Sequence, residues 1–231
     1  KLKGAVRDAK AMKAALEARG FEVKTFFNEE ATRIRIEEYL RDEMPNIAQT
    51  DDRVVVYFAG HGISVKKRRG QWGYFMPIDG GGERATQGGI SMSALREWFE
   101  MYDSRHVLYV ADACHAGITV QATPNAVLSE ATQDDVRLVL TAGTTEQPVL
   151  DDYKGHGLFT YFLLEALSGK ADANTDGYMT GKELDAYVSP RVKDTAKSAF
   201  GKQQRPQSSR AGQGEILFKN LTIDSTAAAG G

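Results

Sequence analysis

Apolar residues recur along this chain in two alternating rhythms. Val6, Ala9, Met12, Ala15 and Leu16 fall at helical spacing and predict a helix over Gly4–Ala18 that Gly20 closes. Phe21–Phe27 alternates and predicts a strand, and Thr32–Met44 predicts a second helix that stops at Pro45. Val54–Ala59 is a continuous apolar run, the pattern of a strand covered on both faces. Val65–Pro77, with Lys66-Lys67-Arg68-Arg69-Gly70 at its tip, predicts a hairpin. Ser91–Met101 predicts a Ser-capped helix with Trp98 and Phe99 turned inward. Val107–Ala111 and Val136–Ala142 predict two more strands, separated by a polar stretch over Ile118–Asp135. Helices are predicted over Gly157–Leu167 and from Gly181 to about Ala199. The tail from Gln203 is polar apart from Ile216-Leu217-Phe218. Strand, helix and strand in that order predict an α/β fold with a mostly parallel sheet covered on both faces.

Composition narrows the class of protein without choosing a function. The 231 residues suit one α/β domain or one domain with an appended segment, and 42% hydrophobic residues supply a full core. A net charge of −2 with both signs intermixed favours neither nucleic acid nor an anionic membrane as partner. One cysteine excludes an internal disulfide framework and a multi-cysteine metal site. With no apolar run of about 18 residues, no transmembrane helix is expected, and the chain reads as a cytoplasmic protein. Lys1 opens almost directly into a helix, so a segment removed upstream is expected.

Two apolar runs end in reactive side chains. Val54–Ala59 leads into Gly60-His61-Gly62, and Val107–Ala111 leads through Asp112 and Ala113 to Cys114. If the strands are parallel neighbours, both side chains emerge at the carboxyl edge of one sheet, where open α/β sheets place their crevice. That is the geometry of a Cys-His nucleophilic pair. The plainer readings are a small core cysteine and a polar turn histidine. His115 is adjacent to the thiol, His106 opens its strand at the opposite edge and His156 precedes a helix, which leaves His61 as the candidate base.

The segments Tyr57-Phe58-Ala59-Gly60-His61-Gly62 and Asp112-Ala113-Cys114-His115-Ala116-Gly117 together resemble the catalytic signature of the caspase-like cysteine peptidases (clan CD, peptidase C14), in particular the metacaspases and bacterial orthocaspases. The likeness extends to Lys3–Ala9, Ala142–Gln147 and Gly155–Thr160. It implies the caspase-hemoglobinase fold, a six-stranded mostly parallel sheet with helices on both faces, and peptide-bond hydrolysis through a thioacyl-enzyme. In that reading Cys114 is the nucleophile, His61 the general base and acid, and the amides of Gly62 and Cys114 form the oxyanion hole. Caspases carry Gln two residues before the cysteine and bind aspartate at the cleavage site; here Asp112 stands in that position. An anion there attracts a basic side chain and repels an acidic one. The resemblance to metacaspases adds Asp8 to the same pocket, so cleavage after Arg or Lys is expected; without that resemblance Asp8 reads equally as a first-turn helix residue.

Two departures from the family pattern stand out. The strand that normally precedes the first helix is missing from this sequence. The calcium-binding Ile-x-Asp-Asp segment of many metacaspases corresponds to Ile90-Ser91-Met92-Ser93, which has no carboxylate. A different calcium candidate lies further on, where Asp172, Asn174, Asp176, Tyr178, Thr180 and Glu183 occupy the liganding positions of a twelve-residue EF-hand loop, 172–183, with Gly177 at its sixth position. The same residues suit a rigid connector in which Thr180 and Glu183 form a capping box. The expected organisation is a peptidase domain over 1–200 that includes this loop, and a polar segment over 201–231. The chemistry needs no cofactor, although calcium is a candidate ligand. The expected partner is a protein or peptide with a basic residue at the cleavage site, acted on by a monomer under an upstream regulatory domain or partner. A catalytically silent scaffold and a calcium-responsive interaction module are the alternatives.

Overall fold

The computed structural model describes residues 3–68, 70–81, 85–113, 134–144 and 149–220. Helix α1 (Lys3–Glu17) forms as its periodicity predicts, with Asp8, Met12 and Leu16 buried. Phe21–Phe27 takes no part in any ladder, contrary to expectation. An alternating segment becomes a strand only where a neighbouring backbone offers hydrogen bonds. Here the aromatic side chains are used without one: Phe21 packs on Phe218 at 5.9 Å and Phe26 on Tyr39 at 5.4 Å.

The next helical run also departs from expectation, because it does not stop at Pro45. Helix α2 (Arg33–Glu37) widens into a π-helical turn over Glu38–Glu43 and continues as α3 (Met44–Ile47). The N–H of Met44 reaches back five residues to Tyr39. That wider turn accommodates a proline ring that would collide with a carbonyl in a regular helix.

Strand β1 (Arg53–Lys67) is far longer than its apolar run. It runs parallel to β4 (His106–Ala113) from Arg53 to Gly60, then exchanges partners and runs antiparallel to β2 (Gly70–Met76) from His61 onward. The strand therefore passes through Gly60-His61-Gly62 instead of ending there, since β2 takes over the backbone bonds where β4 stops. The short α4 (Ala85–Gly88) and β3 (Ile90–Ser91) lead into α5 (Met92–Glu100), where Ser91 Oγ accepts the N–H of Ala94 as N-cap. Beyond β5 (Val136–Thr141), α6 (Leu158–Glu165) runs into a π-helical turn, and a loop then leads to β6 (Tyr178–Thr180) and α7 (Gly181–Phe200). Residues from the polar C-terminal segment supply β7 (Gln207–Ala211) and β8 (Leu217–Lys219).

The main sheet has six strands in the order β3-β2-β1-β4-β5-β7, with parallel β1, β4 and β5 at its heart, and β6 and β8 form a separate pair. Every residue of β4 is buried, as a doubly covered strand requires. Val107, Tyr109, Ala111 and Ala113 meet the cluster around α5, including Leu95, Trp98 and Phe99. Leu108 and Val110 meet the cluster formed by α1, α6 and α7, including Met12, Phe159 and Val188. By that alternation Asp112 belongs to the α1/α6 face.

Candidate active site

Strand register brings the two predicted catalytic segments side by side. Gly60 pairs with Ala113 in the parallel β1–β4 ladder, and His61 and Cys114 are the residues that follow them in sequence. Cys114 itself, with the rest of 114–133, lies outside the described residues, as do Thr145, Glu146 and Gln147 of the family-like Ala142–Gln147 segment. His61 is exposed and Gly62 buried, opposite Met76 and Phe75 of β2. Val55 and Tyr57 pack toward the α1/α6 cluster, and the same alternation carried through Ala59 puts His61 on that face. Gly60 is required where it stands: a Cβ there would be 2.9 Å from the Phe58 ring, which packs edge-on against Phe75 at 4.8 Å. The backbone that presents His61 therefore rests on an aromatic stack. His106 lies at the opposite end of β4, paired with Arg53 and Val136.

Asp8 and Asp112, more than a hundred residues apart in the chain, converge on one point. Asp8 is 2% exposed and Asp112 8%. A Cβ on Gly157 would stand 3.0 Å from Asp112 Oδ2, 3.2 Å from Asp8 Oδ2 and 3.5 Å from Asp151 Oδ1. Glycine at 157 thus lets the backbone pack close against Asp112 and Asp8, with Asp151 beside them, where a side chain would crowd the carboxylates. Asp151 was not singled out by the sequence, and its only signal there is a pair of acids after the apolar Val149-Leu150.

The three acids differ in their partners. Asp8 Oδ1 lies 2.6 Å from His156 Nδ1, and Asp8 Oδ2 accepts the N–H of Gly157 at 2.9 Å. Asp112 Oδ2 accepts the hydroxyl of Thr160, a fully buried residue of α6, and Tyr57 in turn lies 2.6 Å from Thr160 Oγ1. Burial holds the Tyr57 phenol well above its ordinary range, so it keeps its proton and donates it to Thr160. Asp112 Oδ1 is buried with no hydrogen-bond partner among the described residues. Burial, reinforced by the charges of Asp8 and Asp151, pushes the Asp112 carboxyl up to about 7 against the opposing Thr160 hydrogen bond. Asp151 is raised as well, through partial burial and the nearby Asp8, with Arg7 acting in the opposite direction.

The segment that carries Asp151 and His156 is firmly held. Gln204, fully buried, accepts the N–H of Leu150 at 2.9 Å and donates to the carbonyl of Ala142 at 3.0 Å. Leu158 N–H donates to Leu150 O at 2.8 Å, and Tyr153 and His156 close a tight turn through paired backbone bonds.

The residues of the predicted calcium loop are bonded to one another and to the start of α7. Thr180 Oγ1 accepts the N–H of Glu183 at 3.1 Å while Glu183 accepts the N–H of Thr180 at 2.9 Å, completing the capping box of α7. Asp172 accepts the N–H of Gly177 and the side chain of Asn220, and Asp176 accepts the N–H of Tyr178 and the side chain of Asn174. Among the described residues, no three acid, histidine or cysteine side chains are grouped to hold a metal ion, and no helix is long and apolar enough to cross a membrane.

Comparison with known proteins bears on both fold and family. Caspase-1 from Spodoptera frugiperda shares the fold with a TM-score of 0.63 at 17% identity, over 95% of this chain and 83% of that one. Protein GSU0716 from Geobacter sulfurreducens does so with a TM-score of 0.58 at 18% identity, over 88% of this chain and 82% of that one. No curated protein matches the sequence. The family model of the caspase domain, peptidase C14, matches residues 1–216, and the chain is a member of the caspase-domain family.

Proposed function

We propose that this caspase-domain protein is a cysteine endopeptidase of the metacaspase or orthocaspase kind, hydrolysing peptide bonds after Arg or Lys. The observation that carries the proposal is the convergence of Asp8, Asp112 and Asp151 around Gly157, on the face toward which β1 directs His61. A cluster of three acids suits a cation and disfavours the aspartate that caspases bind. Cys114 follows Ala113 in the sequence, and Ala113 is the register partner of Gly60, the residue before His61.

His61 takes the Cys114 proton as the sulfur attacks the scissile carbonyl, and the amides of Gly62 and Cys114 receive the developing oxyanion. Collapse returns that proton from His61 to the leaving amine and leaves the thioacyl-enzyme. A water deprotonated by His61 then attacks the thioester, releasing the new carboxyl terminus and the thiol. These steps call on protein groups and water.

The test is turnover of fluorogenic peptides ending in Arg, Lys or Asp. The Arg and Lys peptides are expected to be cleaved and the Asp peptide left intact, with activity abolished in Cys114→Ala and His61→Ala. Asp112→Asn is expected to raise KM for the basic peptides by at least tenfold. An intact protein that cleaves none of the three is a scaffold, and one that cleaves only after Asp has a different pocket.

A further inference from the structure

Beyond His61 the protein carries an arm that neither the catalytic steps nor the core uses. Strand β4 stops at Ala113, opposite Gly60, and β3 pairs only with Tyr74 and Phe75. From Ser64 to Gly73, therefore, β1 and β2 have only each other as ladder partners among the described residues. This free part of the hairpin extends past the carboxyl edge of the parallel strands, the edge that carries His61. Residues two apart share a face, and the register places Ile63 with Tyr74 and Val65 with Trp72 on the face of His61 and Met76. The opposite face carries Phe75, buried in the α5 cluster. Among the described residues, none of Ile63, Val65, Trp72, Tyr74 and Met76 belongs to either core cluster, and Trp72 is 43% exposed. An apolar strip thus leads outward from His61. It ends in charge, because Lys66-Lys67-Arg68-Arg69 puts four cations and no acid into the stretch from Ile63 to Met76, with Lys66 and Arg68 exposed. In a chain of net charge −2, a run of one sign with no acid beside it attracts an anion.

We propose that the hairpin is a docking arm for substrate, its tip at Lys66 and Arg68 holding an acidic stretch of the protein to be cut. This rests on the reading of the chain as an endopeptidase for basic residues and adds a second, distant requirement to it. At about 3.3 Å per residue, the path along β1 from His61 to the tip is roughly 20 Å, so an extended substrate reaches the cations about six residues from the scissile bond. The acid cluster and the basic tip attract opposite charges. A substrate with a basic residue at the cleavage site and acids some six positions away satisfies both. The order of the pairs favours a peptide over an anionic membrane. Val65 and Trp72 lie between the cations and His61, where a bound chain passes, and not at the outermost point, where an inserting anchor places its apolar residues.

The test compares a short fluorogenic peptide ending in Arg with long peptides cut at a single Arg. The long peptides carry a run of glutamates centred about six residues before or after that Arg, or glutamines in the same places. The parent is expected to cleave one of the two glutamate peptides with a kcat/KM about tenfold above its glutamine counterpart, mainly through KM. Lys66→Glu combined with Arg68→Glu is expected to abolish that ratio, and Lys66→Arg combined with Arg68→Lys, which keeps the charge, to preserve it. The ratio is also expected to shrink as salt rises from about 0.1 to 1 M and the screening length falls from about 10 to 3 Å. A glutamate-rich peptide without Arg, titrated by fluorescence anisotropy, is expected to bind the Cys114→Ala protein and not the same protein with both charge reversals, which reads the arm without turnover. A parent that cleaves the short Arg peptide but favours neither glutamate peptide overturns the arm alone. Binding to phosphatidylserine vesicles that the charge reversals abolish, with no binding of the glutamate-rich peptide, also overturns it, in favour of a membrane. A parent that cleaves no basic peptide overturns the peptidase reading, and the arm as a substrate site falls with it.

Discussion

At the scale of single residues, Asp112 links recognition to pH. Its carboxyl, pushed up to about 7 by burial beside Asp8 and Asp151, is protonated at lower pH and gives the pocket less charge there. Binding of an Arg-ended peptide to the Cys114→Ala protein is expected to tighten as pH rises through about 7, and Asp112→Asn is expected to flatten that dependence. Measuring binding instead of turnover removes the titration of the thiol. The same shift acts on stability with the opposite sense. In the unfolded chain this carboxyl ionises near pH 4, so between about 4 and 7 folding takes up a proton and stability falls as pH rises. Asp112→Asn is therefore expected to match the parent's melting temperature near pH 4 and exceed it at pH 8, with each kcal/mol recovered worth roughly 2–4 °C in a chain of this size. Thr160→Val tests the support. It removes the hydroxyl that donates to Asp112 and receives from Tyr57, so the midpoint of the binding profile is expected to move above 7.

At the scale of elements, the comparison of expectation with outcome separates local signals from those that depend on neighbours. The Ser91 and Thr180 caps were legible because a cap is a bond between residues three apart. The helix through Pro45 was not, since proline's usual rule gives way to a π-helical turn whose occurrence no local pattern announces. Phe21–Phe27 has the alternation of a strand but lacks a ladder, and a ladder is a property of two segments. The candidate site divides in the same way. His61 and Cys114 are legible from apolar runs ending in reactive residues, whereas Asp151 and His156 acquire meaning only when the turn that carries them folds against Asp8. The connector offers a direct test. Thr180→Ala breaks one half of the capping box and is expected to cost about 1 kcal/mol in urea unfolding, with the slope against denaturant unchanged.

At the scale of the whole molecule, the two ends of the parallel strands carry different duties. Midway along β1 and at the carboxyl end of β4, Ala59 pairs with Asp112 of the acid cluster. Their amino ends are tied to the C-terminal part of the chain, where Arg53 Nη1 donates to Leu217 O at 2.7 Å and β8 pairs with β6. Phe218, 2% exposed, fills the core there, beside Phe21 and close to Val55 and Leu108. At about 3.3 Å per residue, the path along β1 from Arg53 to His61 spans roughly 26 Å, so this packing and the pocket are far apart. Phe218→Ala removes a buried ring where a small apolar void already adjoins it, and is expected to cost about 3–5 kcal/mol. That is a large share of the stability of a domain, and it should appear as an earlier, still single transition by fluorescence and circular dichroism alike. Below that transition KM for a basic peptide is expected to stay within twofold of the parent, because the hydrogen bonds that hold Asp8 and Asp112, to His156, Gly157 and Thr160, do not involve the ring. A rise in KM at temperatures where the protein remains folded would mean that the C-terminal strands shape the pocket through the length of the sheet.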